Sequence, residues 1–227
     1  KPGDVDWAKV FDGADWFHFT GITPAISKNA GEVCIEAAKA AKELGITVSA
    51  DMNYRKNLWT PEEAQATMIP MMKYVDVSIG NEEDAEKCLG VAAEGVDVTV
   101  GEIDPEAYRP VVQELVDKFG FKKVAITLRE SFSADDNGWS AIYYDGDEIL
   151  VGNKYPVRIV DRVGGGDSFC AAMIYGLNQS DWNSRQVLDF AVASSAMSHT
   201  FHGDFNLVSV KEVMAVAGGD TSGRVQR

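Results

Sequence analysis

Strand-like and helix-like patterns alternate along this chain, and this alternation limits the possible folds more than any other feature. Apolar residues recur at i, i+3 and i+4 spacing over residues 30–44, which predicts a helix with one buried face, and Gly45 is suited to end it. Residues 46–50 predict a strand, and residues 60–63 (TPEE) have the composition of a capped helix start. Strands that alternate with helices predict an α/β fold, with a mostly parallel sheet covered by helices on both faces.

The same alternation continues over the rest of the chain. It predicts further strands at residues 16–19, 75–79, 124–128 and 157–160, and further helices at about 81–90, 111–119, 167–177, 187–201 and 210–217. Asp145-Gly146 separates two strand-like runs, residues 141–144 and 148–151, which predicts a hairpin. No linker or internal repeat is visible, so we expect a single α/β domain over residues 1–227.

Composition limits the partners that the chain can bind. Its 227 residues include 35 acidic and 21 basic side chains, and the net charge of −14 repels nucleic acid and anionic lipid. No apolar run approaches the ~18–20 residues that span a bilayer. We therefore expect no nucleic-acid partner and no membrane partner, and an anionic substrate would need a local positive site.

The cysteines and the start of the chain bear on its cellular setting. Cys34, Cys88 and Cys170 are odd in number and far apart, which argues against zinc and disulfide scaffolds and favours free thiols in a reducing cytoplasm. The chain begins at Lys1 without an initiator Met, so we expect a processed, trimmed or fragmentary sequence. The sequence leaves a homo-oligomer open.

A glycine-rich segment, DRVGGGDSF at residues 161–169, stands between a predicted strand and a predicted helix. Gly164, Gly165 and Gly166 let the backbone approach a ligand, and the helix start supplies N–H groups and a positive dipole end. The segment predicts an anion site that needs no Lys or Arg. The alternative is a plain tight turn with Asp167 as the helix N-cap. The spacing is neither that of a P-loop nor that of a dinucleotide fingerprint.

The stretch DRVGGGDSFCAAMIYG resembles the C-terminal signature of the ribokinase-like (PfkB) carbohydrate kinases, DTxGAGDxFxAG. Four more stretches are similar to the 2-keto-3-deoxygluconate kinases within that family: FHFTGITPA from residue 17, DMNYRKNLW from 51, SIGNEEDAEKCLG from 78 and the ending GDTSGRVQR. These matches follow the family's order over essentially the whole chain. The resemblance implies a ribokinase-like fold whose first βα units and small β lid are missing from this sequence.

The resemblance also implies a chemical role for the glycine segment. Asp167 would be the base that takes the proton from a sugar hydroxyl as this oxygen attacks the γ-phosphorus of ATP. Backbone N–H groups at Gly164, Gly165 and Gly166 would neutralise charge on the transferred phosphoryl group. Arg162 stands where the family more often has Thr, and its direction cannot be read from the sequence.

A second polar segment follows the predicted strand at residues 46–50. Asp51, Asn53 and Arg55 alternate, so in an extended segment their side chains point to one side. The resemblance implies that Arg55 holds the carboxylate of a sugar acid and touches ATP, and that Asn53 contacts the nucleotide. The alternative is a structural pair of Asp51 with Arg55.

Asn81 and Asp84 resemble the family's NxxE element, which organises water around Mg²⁺. An N-cap Asn with an acid three residues later is equally typical of a capping pair, and both roles can coexist. Magnesium is thus an expected cofactor beside ATP, held through water.

The remaining candidate contacts are weaker. Thr127, Arg129 and Ser131 would contact the nucleotide, although Arg129 replaces a family glycine. Asp204 matches a position that contacts the sugar acid, with an exposed turn as the alternative. The small residues at 191–196 suit either an adenine pocket or close helix packing, and His199 is interpreted as an ordinary core or surface histidine.

Together these implications predict an ATP-dependent kinase that phosphorylates a sugar acid, 2-keto-3-deoxygluconate. A fructokinase-like enzyme for a neutral sugar is one alternative, and Arg55 argues against it. A truncated nucleotide- or sugar-binding module without turnover is another, because a lid normally excludes water and completes the sugar site. The retained Asp167 argues against that module.

Overall fold

A computed structural model of the chain describes residues 1–81, 83–92 and 104–220. Glu82 of the SIGNEEDAEKCLG stretch and residues 221–227 of the terminal GDTSGRVQR stretch lie outside the described residues. The strands are β1 (Trp16–Thr20), β2 (Thr47–Asp51), β3 (Val77–Asn81), β4 (Lys123–Ser131), β5 (Asp136–Tyr144), β6 (Ile149–Val151) and β7 (Tyr155–Arg158). The α-helices are α1 (Trp7–Val10), α2 (Ile22–Ala25), α3 (Lys28–Glu43), α4 (Pro61–Met72), α5 (Asp84–Leu89), α6 (Arg109–Phe119), α7 (Gly165–Leu177), α8 (Ser184–Ser198) and α9 (Val210–Ala217), with a 3-10 helix at Pro105–Tyr108.

The described residues group into two compact units. The first comprises the described parts of Lys1–Val98, Glu106–Ile126 and Tyr144–Glu148. The second comprises those of Thr99–Pro105, Thr127–Tyr143 and Ile149–Arg227, so β4 contributes to both. The expectation of a single domain stays a prediction.

The first unit is built from parallel strands joined by helices. β1 pairs with β2 from Trp16–Thr47 to Thr20–Asp51, and β2 pairs with β3 from Ser49–Val77 to Asp51–Ile79. The small residues Ala37, Ala38 and Ala41 of α3 are buried, as the helical spacing predicts. Because parallel strands end at one edge of a sheet, Thr20, Asp51 and Asn81 come to the same edge.

The second unit combines an antiparallel strand pair with packed helices. β7 pairs with β5 in antiparallel register, from Asp136–Arg158 to Trp139–Tyr155. The helix α8 packs against α7 and α9. Ala191, Ala193 and Ala196 of α8 are buried, which supports the helix-packing interpretation of these small residues.

Taken strand by strand, the prediction of a mostly parallel α/β fold is confirmed, and the differences are local. The strand predicted at 157–160 already ends at Arg158, because the Val160 N–H donates to the His199 carbonyl instead of to a neighbouring strand. The helix predicted to reach residue 201 ends at Ser198. None of the helices in the described ranges combines the length and the hydropathy that a membrane crossing requires.

Candidate active site

The glycine segment forms the N-terminus of α7. Gly164 is the N-cap residue and has a φ of +82°, in the left-handed region that favours glycine. A Cβ atom at this position would also overlap the carbonyl oxygen of Asp204. Two separate constraints, the backbone conformation and the close approach of a second segment, therefore require glycine at residue 164.

The next two glycines differ in their surroundings. A Cβ at Gly165 would lie 2.5 Å from Cε1 of His199, and the Gly165 N–H donates to the Arg162 carbonyl at 3.3 Å. At Gly166 a Cβ would meet no described atom within 4 Å. Of the three glycines, Gly166 therefore has the open side that a ligand needs. Packing against Asp204 and His199 explains why residues 164 and 165 are glycine. The structure therefore leaves room for a ligand at fewer glycines than the three that were predicted.

Asp167 is the third residue of α7, and its side chain is exposed. The alternative in which Asp167 is the N-cap is wrong, because Gly164 holds that position. N–H groups in the first turn of a helix lack intrahelical acceptors, and the helix dipole favours a negative charge there. The carboxylate therefore stands at the same helix end as the predicted anion site.

Asp161 ties the glycine segment to the chain that follows α8. Its Oδ1 accepts from the Val163 N–H and its Oδ2 from the Gly203 N–H, both at 3.1 Å. These backbone hydrogen bonds hold the pKa of Asp161 below its ordinary value, and the bond from Val163 has the largest effect. No role was predicted for Asp161 from the sequence, although its place at the start of the stretch that resembles the family signature was an available signal.

Arg162 holds the turn between β4 and β5 by a hydrogen bond. Its Nη2 donates to the carbonyl of Ala134, in the turn between β4 and β5, at 2.6 Å. Asp204 is exposed, and its main chain is the part that packs on Gly164. The structure thus brings Asp204 next to the glycine segment, and its contact with the sugar acid stays a prediction.

The nucleotide contacts expected from β4 lie on one side of that strand. Thr127, Arg129 and Ser131 alternate along it, with Thr127 buried and the other two exposed. The positive charge of Arg129 acts on the buried imidazole of His199. The intervening Glu130 is buried and pairs with Lys154.

In the first unit, the polar segment after β2 is not extended. Asn53 has a φ of +43°, so the alternation predicted for residues 51, 53 and 55 is wrong at its middle position. The Asn53 side-chain amide donates to Thr20 Oγ1 at 3.1 Å, which ties this turn to the end of β1. Arg55 is exposed, and one of its N–H groups donates to the Tyr54 carbonyl at 2.9 Å.

Asn81 and Asp84 form a reciprocal pair of hydrogen bonds just before the first turn of α5. Asn81 Oδ1 accepts from the N–H of Asp84 at 3.1 Å, and Asp84 Oδ2 accepts from the N–H of Asn81 at 2.8 Å. The other Asp84 oxygen accepts from the Tyr54 N–H at 2.9 Å. Asp84 is only 2% exposed, and burial raises the pKa of its carboxyl group. The hydrogen bonds from the N–H groups of Asn81 and Tyr54 and the charge of Arg55 act in the opposite direction. The N-cap residue of α5 is Glu83, so the N-cap role predicted for Asn81 is wrong, although the Asn81 side chain accepts from the N–H groups of Glu83 and Asp84. The magnesium role stays a prediction.

An α/β fold with a glycine-rich helix start and an exposed aspartate on its first turn is typical of the ribokinase-like class. The sequence model of the pfkB family carbohydrate kinases matches residues 4–209. The chain belongs to this family.

Individual relatives agree with the family match. The crystal structure of 2-dehydro-3-deoxygluconokinase from Thermotoga maritima is 48% identical and superposes with a TM-score of 0.89, over 96% of this chain and 65% of that one. The 2-dehydro-3-deoxygluconokinase of Thermoproteus tenax is 31% identical, over 89% of this chain and 54% of the relative. The 2-dehydro-3-deoxygalactonokinase of Haloferax volcanii is 28% identical, over 94% and 60%. The chain thus spans 54% to 65% of the length of these proteins.

Proposed function

We propose that the protein containing this chain transfers the γ-phosphoryl group of ATP to a hydroxyl of a sugar acid, 2-keto-3-deoxygluconate. One observation carries the proposal: the exposed Asp167 carboxylate lies on the first turn of α7, one residue from the open side of Gly166. The names of the Thermotoga maritima and Thermoproteus tenax relatives support this sugar.

In the proposed reaction, the sugar hydroxyl oxygen attacks the γ-phosphorus while its proton passes to an oxygen of Asp167. The bond to the bridging oxygen breaks, and ADP leaves. A positioned carboxylate can accept the hydroxyl proton because it is unprotonated at neutral pH. The first-turn N–H groups of α7, with Gly166 open beside them, suit the transfer of the phosphoryl group. They offset the charge on this group without having to move.

The proposed phosphoryl donor, ATP, suits the start of α7. A helix N-terminus whose second residue carries no side chain admits a phosphate close to the backbone. Arg129 and Ser131 are exposed on the side of β4 that also carries Thr127, and we assign them to the nucleotide. Asn53 and Arg55 of the first unit are the further nucleotide contacts that the resemblance implies.

Contact with magnesium through water is the arrangement that suits the described residues Asn81 and Asp84. Both Asp84 oxygens already accept backbone N–H groups, and among the described residues no cluster of three or more His, Cys, Asp or Glu is arranged to hold a metal. We propose that the ATP phosphates carry the ion and that Asn81 contacts its water shell. Bound there, the ion would offset phosphate charge.

The sugar acid needs a cation and a hydrogen-bonding partner. Arg55 is exposed and uses one of its five N–H donors on Tyr54, so donors remain for a carboxylate. Asp204 is exposed beside the glycine segment and would accept hydrogen bonds from sugar hydroxyls.

The proposal is tested by Asp167→Asn in the natural full-length gene product. The amide keeps the size of the side chain but does not accept a proton, so we expect kcat to fall by roughly 10²–10⁴-fold. ATP affinity should change little, because the backbone N–H groups are unaltered. The matched control is Asp181→Asn, another exposed aspartate of the second unit, which should turn over like the wild type.

Coupled ADP-release assays with and without 2-keto-3-deoxygluconate give the two readouts. Sugar-dependent release in the wild type supports the proposed activity. Near-normal turnover of Asp167→Asn would remove Asp167 from its role, and ATP binding without any sugar-dependent release would favour a non-catalytic binding module.

A further inference from the structure

The last turn of α8 lies against the start of α7, at the glycine segment. The His199 side chain, at the end of this turn, is 4% exposed, and its ring packs on Gly165. A Cβ at Gly165 would be 2.5 Å from Cε1 and 2.6 Å from Nε2 of the ring. The indole of Trp139 contacts the same ring, with 4.6 Å between the centroids. The imidazole is therefore enclosed between β5 and the first residue of α7.

Ser195, one turn earlier in α8, fixes both the ring and the glycine. Its carbonyl lies 2.6 Å from His199 Nδ1, and because a carbonyl only accepts, Nδ1 carries a proton. Its hydroxyl donates to the carbonyl of Gly165 at 2.7 Å. The backbone carbonyl of His199 also accepts from the Val160 N–H at 2.8 Å. The end of α8 thus binds the chain at Val160, just before the glycine segment, and at Gly165, the first residue of α7.

We propose that His199 is a positioning residue for phosphoryl transfer, acting through Gly165 to fix the direction of the first turn of α7. The inference rests on the proposed function. Gly166 and Asp167 directly follow Gly165, so a tilt at Gly165 displaces the N–H groups and the carboxylate together. Because Gly165 has no side chain, the ring of His199 fills the space that would otherwise allow this tilt.

The charge state of the ring agrees with a packing role. Burial lowers the pKa of His199, the Ser195 carbonyl acts in the opposite direction, and the charges of Arg162 and Arg129 lower it further. The imidazole is therefore neutral at pH 7, with its proton on Nδ1 and the Nε2 edge against Gly165.

Three variants separate packing from simple stability. His199→Ala removes the ring and the hydrogen bond to Ser195. His199→Asn keeps a donor near the Nδ1 position but removes the part of the ring that touches Gly165. Ser198→Ala is the matched control, since this buried hydroxyl donates to the same Ser195 carbonyl at 2.7 Å.

Turnover in the natural full-length gene product is the first readout. Displacing reacting groups by about 1 Å costs roughly 10²-fold, so we expect His199→Ala and His199→Asn to lower kcat by about 10- to 100-fold. The KM for the sugar acid should stay within about twofold, because the proposed sugar contacts Arg55 and Asp204 are unchanged. His199→Asn should recover thermal stability relative to His199→Ala without recovering kcat, and Ser198→Ala should keep kcat.

Amide hydrogen exchange in the protein without ligands is the second readout. The Ser168 N–H donates to the Gly164 carbonyl at 2.8 Å and so reports on the first turn of α7. We expect its exchange to accelerate about tenfold in both His199 variants and to stay unchanged in Ser198→Ala.

Recovery of kcat in His199→Asn along with stability, or an equal loss of kcat in Ser198→Ala, would overturn the positioning role. So would unchanged exchange at Ser168 in the His199 variants. If the wild type shows no sugar-dependent turnover, the proposed function fails, whereas the exchange measurement still decides whether His199 fixes the turn.

Discussion

Arg55 is the residue whose charge distinguishes a sugar acid from a neutral sugar in the proposed reaction. Its guanidinium is exposed and donates to the Tyr54 carbonyl. Arg55→Ala should remove a charge-assisted hydrogen bond of ~1.5–3 kcal/mol to the sugar carboxylate. This corresponds to a loss of roughly 10–150-fold in kcat/KM for 2-keto-3-deoxygluconate. The measurement is kcat/KM for the acid and for an uncharged analogue.

The ratio between the two sugars isolates the carboxylate contact, because any loss of ATP binding affects both equally. Lys56→Ala serves as the control, since Lys56 is the neighbouring exposed cation. An unchanged ratio in Arg55→Ala would assign Arg55 to ATP or to structure and would favour a neutral sugar such as fructose.

At the scale of elements, Asn81 at the junction between β3 and α5 combines structural hydrogen bonds with a predicted magnesium contact. Asn81→Ala removes the acceptor for the N–H groups of Glu83 and Asp84, so we expect a loss of about 0.5–2 kcal/mol in the free energy of unfolding. Turnover should still require Mg²⁺, because the ATP phosphates carry the ion. The measurements are thermal unfolding and the Mg²⁺ dependence of kcat.

Asn183→Ala is the matched control for this junction. Asn183 caps α8 through the Gln186 N–H at 2.9 Å, so its loss should lower stability without changing the Mg²⁺ dependence. An Asn81→Ala variant that needs markedly more Mg²⁺ than Asn183→Ala would establish the magnesium contact. Full activity of the wild type in excess chelator would contradict magnesium dependence itself.

At the scale of the whole chain, Asp76 connects segments that are far apart in sequence. Its carboxylate pairs with Lys42 of α3, accepts from Lys122 at 2.9 Å and accepts from the Val48 N–H at 3.1 Å. Asp76 is 3% exposed, while both lysines reach solvent. Asp76→Asn should therefore lower the free energy of unfolding by ~1.5–3 kcal/mol at pH 7, since its hydrogen bonds are charge-assisted.

The same group gives a pH dependence with a defined sign. Burial alone would raise the pKa of Asp76, but hydrogen bonds from Lys42, Lys122 and Val48 bring it below the ordinary value of 3.8. The folded state then binds fewer protons than the unfolded state in acid, so this contribution is present above pH 3.8 and is lost as the pH falls through the lower folded pKa.

Denaturant unfolding between pH 7 and pH 3 measures this contribution as the difference between wild type and Asp76→Asn, which should shrink in acid. Glu43→Gln, which breaks an exposed pair with Lys39 on the same helix, should change stability by less than about 0.5 kcal/mol. A difference between wild type and Asp76→Asn that does not depend on pH would assign the effect of Asp76 to packing.

Local chemistry made several elements predictable from the sequence. The cap of α4 needs only Thr60 and Glu63, whose side chains and backbone bond to each other within one turn. The start of α7 was likewise marked by three consecutive glycines followed by Asp167. Such features depend on neighbours a few residues apart, so the sequence contains both partners of each interaction.

Features that depend on distant residues were not predictable in the same way. Asn53 adopts a positive φ where alternation predicted an extended segment, because the turn is fixed by Thr20 of another strand. The roles of Gly164 and Gly165 depend on Asp204 and His199, more than thirty residues away. Nothing near His199 in the sequence indicates that its ring packs on the glycine segment.

The sequence by itself therefore determined the order of strands and helices, the glycine segment and the acidic residue on its first turn. These follow from side-chain periodicity, caps and backbone freedom, which act over a few residues. Only the tertiary structure decided that Gly166 is the glycine with free space beside it and that the His199 ring packs on Gly165. Close packing decided these points, since burial against a distant segment depends on how the whole chain is arranged.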